Sequence, residues 1–341
     1  MRQGILRHHT DAAGKRGCLF YQMVVIAMKS IKAKQKKKKS FALYKRYIPI
    51  YLLMAPALIY LLINNYLPMI GLQLAFKQYS LKKGIFGSKW IGFKNFEFLF
   101  ATKDAWVITR NTVLYNIAFI IIGTVFSIFI ALMLSELKRK RAIKLHQTVV
   151  LFPYLISIIV VAYLANAFLA GGTGLINKGI LEPLGHSAVS WYAEPKYWPA
   201  IIVIVYLWKN TGYNIILYLC TINGIDKGYY EAAAIDGAGR WRQFWSITVP
   251  ALKPTVITLT LLAVGRIFYS DFGLFYQVPL NSGSLIDVTN TIDTYVYRGL
   301  MELGNVGMAS AAGFYQSIVG FIIVLAANFA VKKISPEDAM F

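Results

Sequence analysis

Six separated stretches of this chain each stay apolar for about the 20 residues that a helix needs to cross the hydrocarbon of a bilayer. They run from Tyr47 to about Tyr66, Thr112 to Ser135, Thr148 to Ala170, Pro199 to about Ile222, Thr255 to Val278 and Ala311 to Val331. The runs are too long for barrel strands and lack the two-residue alternation such strands carry. Backbone in lipid must satisfy its own hydrogen bonds, so helices are the spanning element. The expected fold class is all-α, a polytopic membrane protein with six transmembrane helices. A water-soluble body is excluded by surface chemistry. Only 15% of the 341 residues are charged, against about a quarter in globular chains.

The short flanks set an orientation. Nine basic residues and no acid lie between Lys29 and Arg46, ahead of span one. The link from Glu136 to Lys144, between spans two and three, holds five basic residues against one acid. Lys332 and Lys333 follow span six. All three fall on one side if six helices alternate, which places both termini in the cytoplasm. The outer segment before span two is also basic, with Lys77, Lys82, Lys83, Lys89, Lys94 and Lys103 against Glu97 and Asp104. It reads either as a solvated edge or as a surface for an acidic partner or substrate.

The expected organisation is a basic cytoplasmic leader over 1–46, a transmembrane domain over 47–334 and a cytoplasmic tail over 335–341. The net charge of +21 gathers where anionic lipid headgroups attract it, and no nucleic-acid motif accompanies it. The apolar stretch Cys18–Ala27 is shorter than a span and no small-residue cleavage site follows it. Met28 is a second candidate start. Cys18 and Cys220 form no disulfide framework.

The loop over 224–254 differs from the others. Glu231 to Ile235 is good helix material, Gly237 and Gly239 offer a turn, and Trp241, Phe244, Trp245 and Ile247 approximate one apolar face of a second helix. Pro250 marks a point where a helix starts or stops. By itself this is an interfacial helix pair that either stabilises the bundle or receives a partner.

The same run, Glu231-Ala232-Ala233, three residues, Gly237, nine residues, Ile247-x-Val249-Pro250, resembles the EAA loop of ABC importer permeases. The resemblance implies a type I permease fold and a coupling role for Glu231, Ala232, Ala233, Asp236, Gly237, Ile247 and Pro250. Asn65–Gly71, Trp90–Phe96, Gly265–Tyr276, Asp293–Arg298 and Gly313–Ser317 are similar to the carbohydrate branch, in particular the LplB-type polysaccharide permeases. The likeness covers roughly Tyr47 to Val331. It implies a second homologous permease, two ATP-binding subunits that hold ATP and Mg2+, an extracytoplasmic solute-binding lipoprotein and an oligosaccharide, acidic if the basic outer segment reads charge.

Polar groups inside the spans are candidates for a path or for structural bonds. Arg266, Ser270 and Asp271 fall in span five as read here, with Arg266 and Ser270 on one face and Asp271 within reach of Arg266 as an ion-pair partner. Lys209, Asn210 and Asn214 stand out in span four, with Tyr206, Tyr213 and Tyr218 nearby. Amides bond neighbouring helices as readily as they line a sugar path. Gly171–Asn177, Trp191 and Trp198 read as an irregular outer loop with interfacial aromatics.

No Gly-x-x-x-x-Gly-Lys-Ser/Thr stretch occurs, so no phosphate-binding loop is expected. No metal-ligand cluster or nucleophile triad is evident either. The chain is expected to hold no cofactor and to catalyse nothing alone. The rival readings are an ion-coupled carrier using the span-five charges, and a membrane anchor that transports nothing.

Overall fold

The computed structural model describes residues 47–137 and 139–334. The leader 1–46, Lys138 and the tail 335–341, and with them the Lys29–Arg46 cluster, Cys18 and Met28, lie outside the described residues. The chain divides after Ile70. In the first unit, residues 47–70 belong to the helix Tyr47–Phe76, and none of them is buried. The rest of the fold belongs to the second unit.

Span two, Asp104–Ser135, is one helix of 32 residues, about 48 Å long at 1.5 Å per residue. It packs along span four, Pro195–Asn223, with Phe119 stacked on Tyr206 at 3.8 Å between ring centres. Between spans one and two, the short strands Lys77–Gln78 and Lys89–Trp90 pair antiparallel. The Trp90–Phe96 motif is structural. Phe76, Phe93 and Phe96 form a ring cluster that takes in Phe314 of span six, and the Asn95 amide donates to the carbonyls of Leu74, Ala75 and Lys77. Lys77 is buried, with its ammonium on Gln73 and two carbonyls. It is therefore not part of a solvated basic edge.

Span three departs from the straight helix expected over Thr148–Ala170. It consists of Arg141–Leu155 and Ile158–Leu169, bent by 97° at the break. Pro153 supplies no backbone donor, and Ser157 is extended, with ψ 140°, so the ladder cannot continue. The loop beyond it is organised by Asn177, which is buried. Its amide donates to Gly171 and Val189 carbonyls, and its oxygen accepts from Val189 N–H and the Trp191 indole.

Span five also differs from expectation. The amphipathic segment and the span form one run of helix, Arg240–Val264, rather than an interfacial helix followed by a span from Thr255. Pro250 stands in the first turn of its α-helical part, Val249–Val264. The preceding residues Phe244–Thr248 are wound as a π-turn, whose wider loop accommodates a residue without a donor. The helix ends at Val264, not Val278. Chain turns follow, then one helical turn over Gly273–Gln277 and the helix Ile292–Met301. Span six, Val306–Ile334, starts earlier than Ala311.

Candidate functional site

The segment 226–250 is built from its ends inward. Asp226 caps the helix Lys227–Ile235 by accepting from Gly228 N–H at 2.9 Å. The helix closes with Ala238 N–H on Ala233 carbonyl at 2.8 Å and Gly237 N–H on Ala234 carbonyl at 3.1 Å. This paired closure needs a left-handed residue, and Gly237 supplies it with φ +78°. The loop returns to the bundle through Tyr230, whose hydroxyl shares a 2.9 Å hydrogen bond with Thr248. Gln243 donates to Ala238 carbonyl at 3.0 Å, and Arg240 pairs with Glu136 at the end of span two at 3.5 Å.

What the loop buries is as informative as what it bonds. No residue of Lys227–Ile235 is buried. Glu231, Ala232, Asp236 and Gly237 are exposed together with Ile235, which is 87% exposed. An isolated nine-residue helix is marginal in water, so capping and the Tyr230–Thr248 tie hold this one in shape while its surface stays free. Ile247 and Pro250 lie apart from that surface. Ile247 is half-buried in the π-turn and Pro250 sits on the continuous helix. They support the loop rather than form its exposed tip.

The second group of polar residues lies at the break in span three. Lys209 of span four is only 9% exposed, and its ammonium donates to the carbonyls of Pro153 and Tyr154 at 3.4 and 3.1 Å. The Pro153 carbonyl also accepts from Ile156 N–H at 3.2 Å, and a cation at this point suits the negative end of the helix dipole. Close approach of the two spans depends on Gly212, because a Cβ there would stand 2.3 Å from Val150 carbonyl oxygen. Tyr154 and Tyr213 stack at 5.8 Å. Asn210 lies next to Lys209 in the sequence, and its buried amide nitrogen has no partner among the described residues. Asn214, one turn on, is half-buried. Tyr206 and Tyr218 are packing residues, one stacked on Phe119 and the other buried.

The Arg266–Asp271 ion pair, one of the two readings of these residues, does not form. Among the described residues the ion pairs are Lys178–Glu182, Lys196–Glu194 and Arg240–Glu136. Chain geometry past Val264 is no longer helical, so spacing of four or five residues no longer brings side chains together. Arg266 is exposed, and the Asp271 carboxylate accepts from Leu274 N–H at 3.1 Å, starting the next helical turn. Ser270 instead binds Asp293, 23 residues on, through its N–H at 2.6 Å and its hydroxyl at 2.8 Å. Gln316 of span six donates to the same carboxylate and to Phe268 carbonyl. Asn116 of span two donates to Ile267 and Tyr269 carbonyls. Spans two and six and the helix Ile292–Met301 thus tie down the open end of span five. None of these partners was identifiable as such from local periodicity, although Asp293 and Gln316 fall in stretches with a family likeness.

Arg298 was also missed as a buried group. Its guanidinium binds Asn281 and Asn290 at 3.0 and 2.6 Å, and Nη2 is buried with no acceptor among the described residues. Leu280 and Asn281 are left-handed, with φ 54° and 48°, and Asn281 is held between Arg298 and Glu302.

These contacts predict unequal effects from two aspartates. Asp293→Ala removes the acceptor of three donors and is expected to destabilise the fold by about 1–3 kcal/mol, lowering membrane abundance and the melting temperature in detergent. Asp271→Asn keeps an N-capping acceptor and is expected to stay within about 0.5 kcal/mol of wild type. Equal destabilisation of the two variants would contradict the placement of Ser270 on Asp293.

Comparison with known proteins agrees with this architecture. Residues 123–335 match the model of the family described as binding-protein-dependent transport system inner membrane component. Protein LplB of Bacillus subtilis (strain 168) is 35% identical over 289 residues, covering 84% of this chain and 90% of that protein. The polygalacturonan/rhamnogalacturonan transport system permease protein YteP of the same organism is 32% identical, covering 89% and 94%. A crystal structure of a bacterial ABC transporter involved in import of the acidic polysaccharide alginate contains a chain with TM-score 0.77 and 33% identity, covering 85% of this chain and 97% of that one. A bacterial alginate ABC transporter in complex with alginate pentasaccharide-bound periplasmic protein gives the same TM-score and identity, covering 85% and 96%.

Proposed function

The chain belongs to the binding-protein-dependent transport system inner membrane components, and from that membership we propose how it couples, what it carries and what it assembles with. It is a multi-pass membrane permease of an ABC importer, with the type I permease fold, and it is not an enzyme on its own. Membership sets aside the ion-coupled carrier and the non-transporting anchor.

The observation that carries the proposal is the capped helix Lys227–Ile235, none of whose residues is fully buried and most of which are exposed. Its exposed Glu231, Ala232, Ile235 and Asp236 dock into an ATP-binding subunit, two of which bind ATP and Mg2+ for the assembly. Closure of those subunits moves the loop, and the Tyr230–Thr248 tie and the continuous helix Arg240–Val264 carry the displacement into the bundle. Span one has no buried residue over 47–70, which suits a helix whose partner is a second permease subunit. Both termini face the cytoplasm and the membrane is the bacterial plasma membrane. An extracytoplasmic solute-binding lipoprotein delivers the substrate. The substrate proposed is an acidic oligosaccharide, consistent with relatives and a structural neighbour whose names carry polygalacturonan and alginate. In the chain itself, the buried Lys209, unpaired with any carboxylate among the described residues, supports an anionic cargo at the span-three break.

Two measurements test this. In a background with Cys18 and Cys220 replaced by serine, a cysteine at the exposed Ser187 is expected to react with a membrane-impermeant thiol reagent in intact cells. One at the exposed Ser246 should react only after the membrane is opened. The reverse pattern would invert the orientation. Copurification should recover a second permease and ATPase subunits, with hydrolysis stimulated by the sugar only when the binding protein is present. A complex without ATPase subunits would refute the coupling assignment.

A further inference from the structure

Span two is longer than the membrane it crosses. At about 48 Å it exceeds the hydrocarbon core, which is about 30 Å thick. Its charges lie at its outer end, Asp104 and Arg110, and none follows until Glu136. Arg110 therefore stands at the boundary where the uncharged run enters lipid. Directly inward, spans two and four and residue 288 enclose a cleft of about 420 Å³ whose walls are Leu114, Tyr115, Ala118, Pro199, Val203 and Val288. Leu114, 58% exposed, opens the cleft to the outside of the chain and begins an exposed apolar stripe continued by Ile117, Ile121 and Val125.

The polar groups at this cleft are already engaged, with one exception. The Asn111 amide donates to the carbonyls of Asp287 and Asn290, both at 2.9 Å. The Tyr115 hydroxyl donates to Val288 carbonyl at 2.9 Å. Arg110 donates from Nε and Nη2 to Asn111 Oδ1 and from Nη2 to Asp287 carbonyl at 3.4 Å. Its positive charge has no ion-pair partner among the described residues. A saccharide in this cleft would leave most of its hydroxyls against apolar walls, which is unfavourable. A phosphodiester with an acyl chain fits both parts, since guanidinium binds phosphate oxygens strongly and the chain covers the apolar wall.

We propose that this cleft is a binding site for an anionic phospholipid of the outer leaflet, with its phosphate on Arg110 and one acyl chain along Leu114, Ala118 and Val203. The assignment to the outer leaflet rests on the orientation proposed above. The bound lipid fills the seam between spans two and four beside the 287–290 segment, which Asn111 and Tyr115 pin to span two.

The test uses the assembled transporter, reconstituted with phosphatidylglycerol, re-extracted in mild detergent and examined by native mass spectrometry. Wild type is expected to retain phosphatidylglycerol on this subunit. Arg110→Gln, which removes the charge, and Val203→Trp, which fills the cleft, should each lower retention about tenfold at unchanged subunit stoichiometry. Excess inorganic phosphate should not displace the lipid, and displacement would identify a free-anion site instead. Equal retention by wild type and both variants would overturn the proposal, as would efficient cross-linking of a cysteine at Leu114 to the second permease. Inverted labelling at Ser187 and Ser246 with variant-sensitive retention intact would refute the orientation but leave the lipid site standing in the other leaflet.

Discussion

Gly237→Asp is expected to leave the subunit in the membrane at near-normal abundance and paired with the second permease, while ATPase retention falls at least about tenfold and uptake is lost. Glycine occupies the left-handed position that closes the helix, with φ +78°. Another residue there costs about 1–2 kcal/mol, with aspartate among the more tolerant. No atom lies within 4 Å of where a Cβ would be, so nothing in this chain clashes, and the loop can absorb that cost without disturbing the spans. The larger effect comes from docking. The new carboxylate adjoins the exposed Asp236 and Ile235, and burying two like charges without partners opposes association. Gly237→Ala separates the terms, because it strains the turn without adding charge and should retain more ATPase than the aspartate variant. Ala232→Asp, on the same exposed helix, is expected to act like Gly237→Asp. Copurification of all subunits and labelled-sugar uptake in vesicles read the result. Wild-type uptake with full ATPase retention for Gly237→Asp would end the coupling assignment.

The second large effect is expected at Lys209. Lys209→Met strips the ammonium from the Tyr154 carbonyl at the break, at about 1–3 kcal/mol for the acceptor that loses its donor, while the Pro153 carbonyl keeps Ile156 N–H. Both subunit abundance and uptake should fall. Lys209→Gln is the informative variant, since its amide still donates twice but carries no charge. If the lysine serves only to cap the broken helix, glutamine should restore both abundance and uptake. Under the proposal of an acidic cargo, glutamine restores abundance yet leaves uptake of an acidic oligosaccharide about tenfold below wild type, a difference of about 1.4 kcal/mol. Uptake of a neutral sugar of the same length, where measurable, should be less affected. Full recovery of acidic-sugar uptake by glutamine would remove the charge-reading role and leave the structural one.

How much could be read without coordinates follows from the range of the forces involved. The membrane class and six crossings come from apolar length, and the turn at Gly237 comes from the conformational freedom of one residue. Both are local: the turn survives in the structure, and among the described residues five helices are long and apolar enough to cross, six if the bent pair of span three counts as one. Glu231 to Ile235 was legible as helix for the same reason, and Gly237 closes it locally, whereas the first turn from Lys227 and its Asp226 cap emerged only in the structure. Where the chain departs from the reading, the decisive partner is distant. Pro153 permits a break in span three, but the break is held by Lys209, 56 residues away. Span five could end at Val264 only because Asn116, Asp293 and Gln316, on three other elements, satisfy the backbone and the side chain of the segment that follows. Arg266 and Asp271 looked paired because helical spacing was extended past the point where the helix stops. Apolar length determines that a segment enters lipid, whereas the place where it stops being a helix is decided by which distant donors and acceptors can meet its freed backbone groups, because in hydrocarbon those groups have no water to turn to.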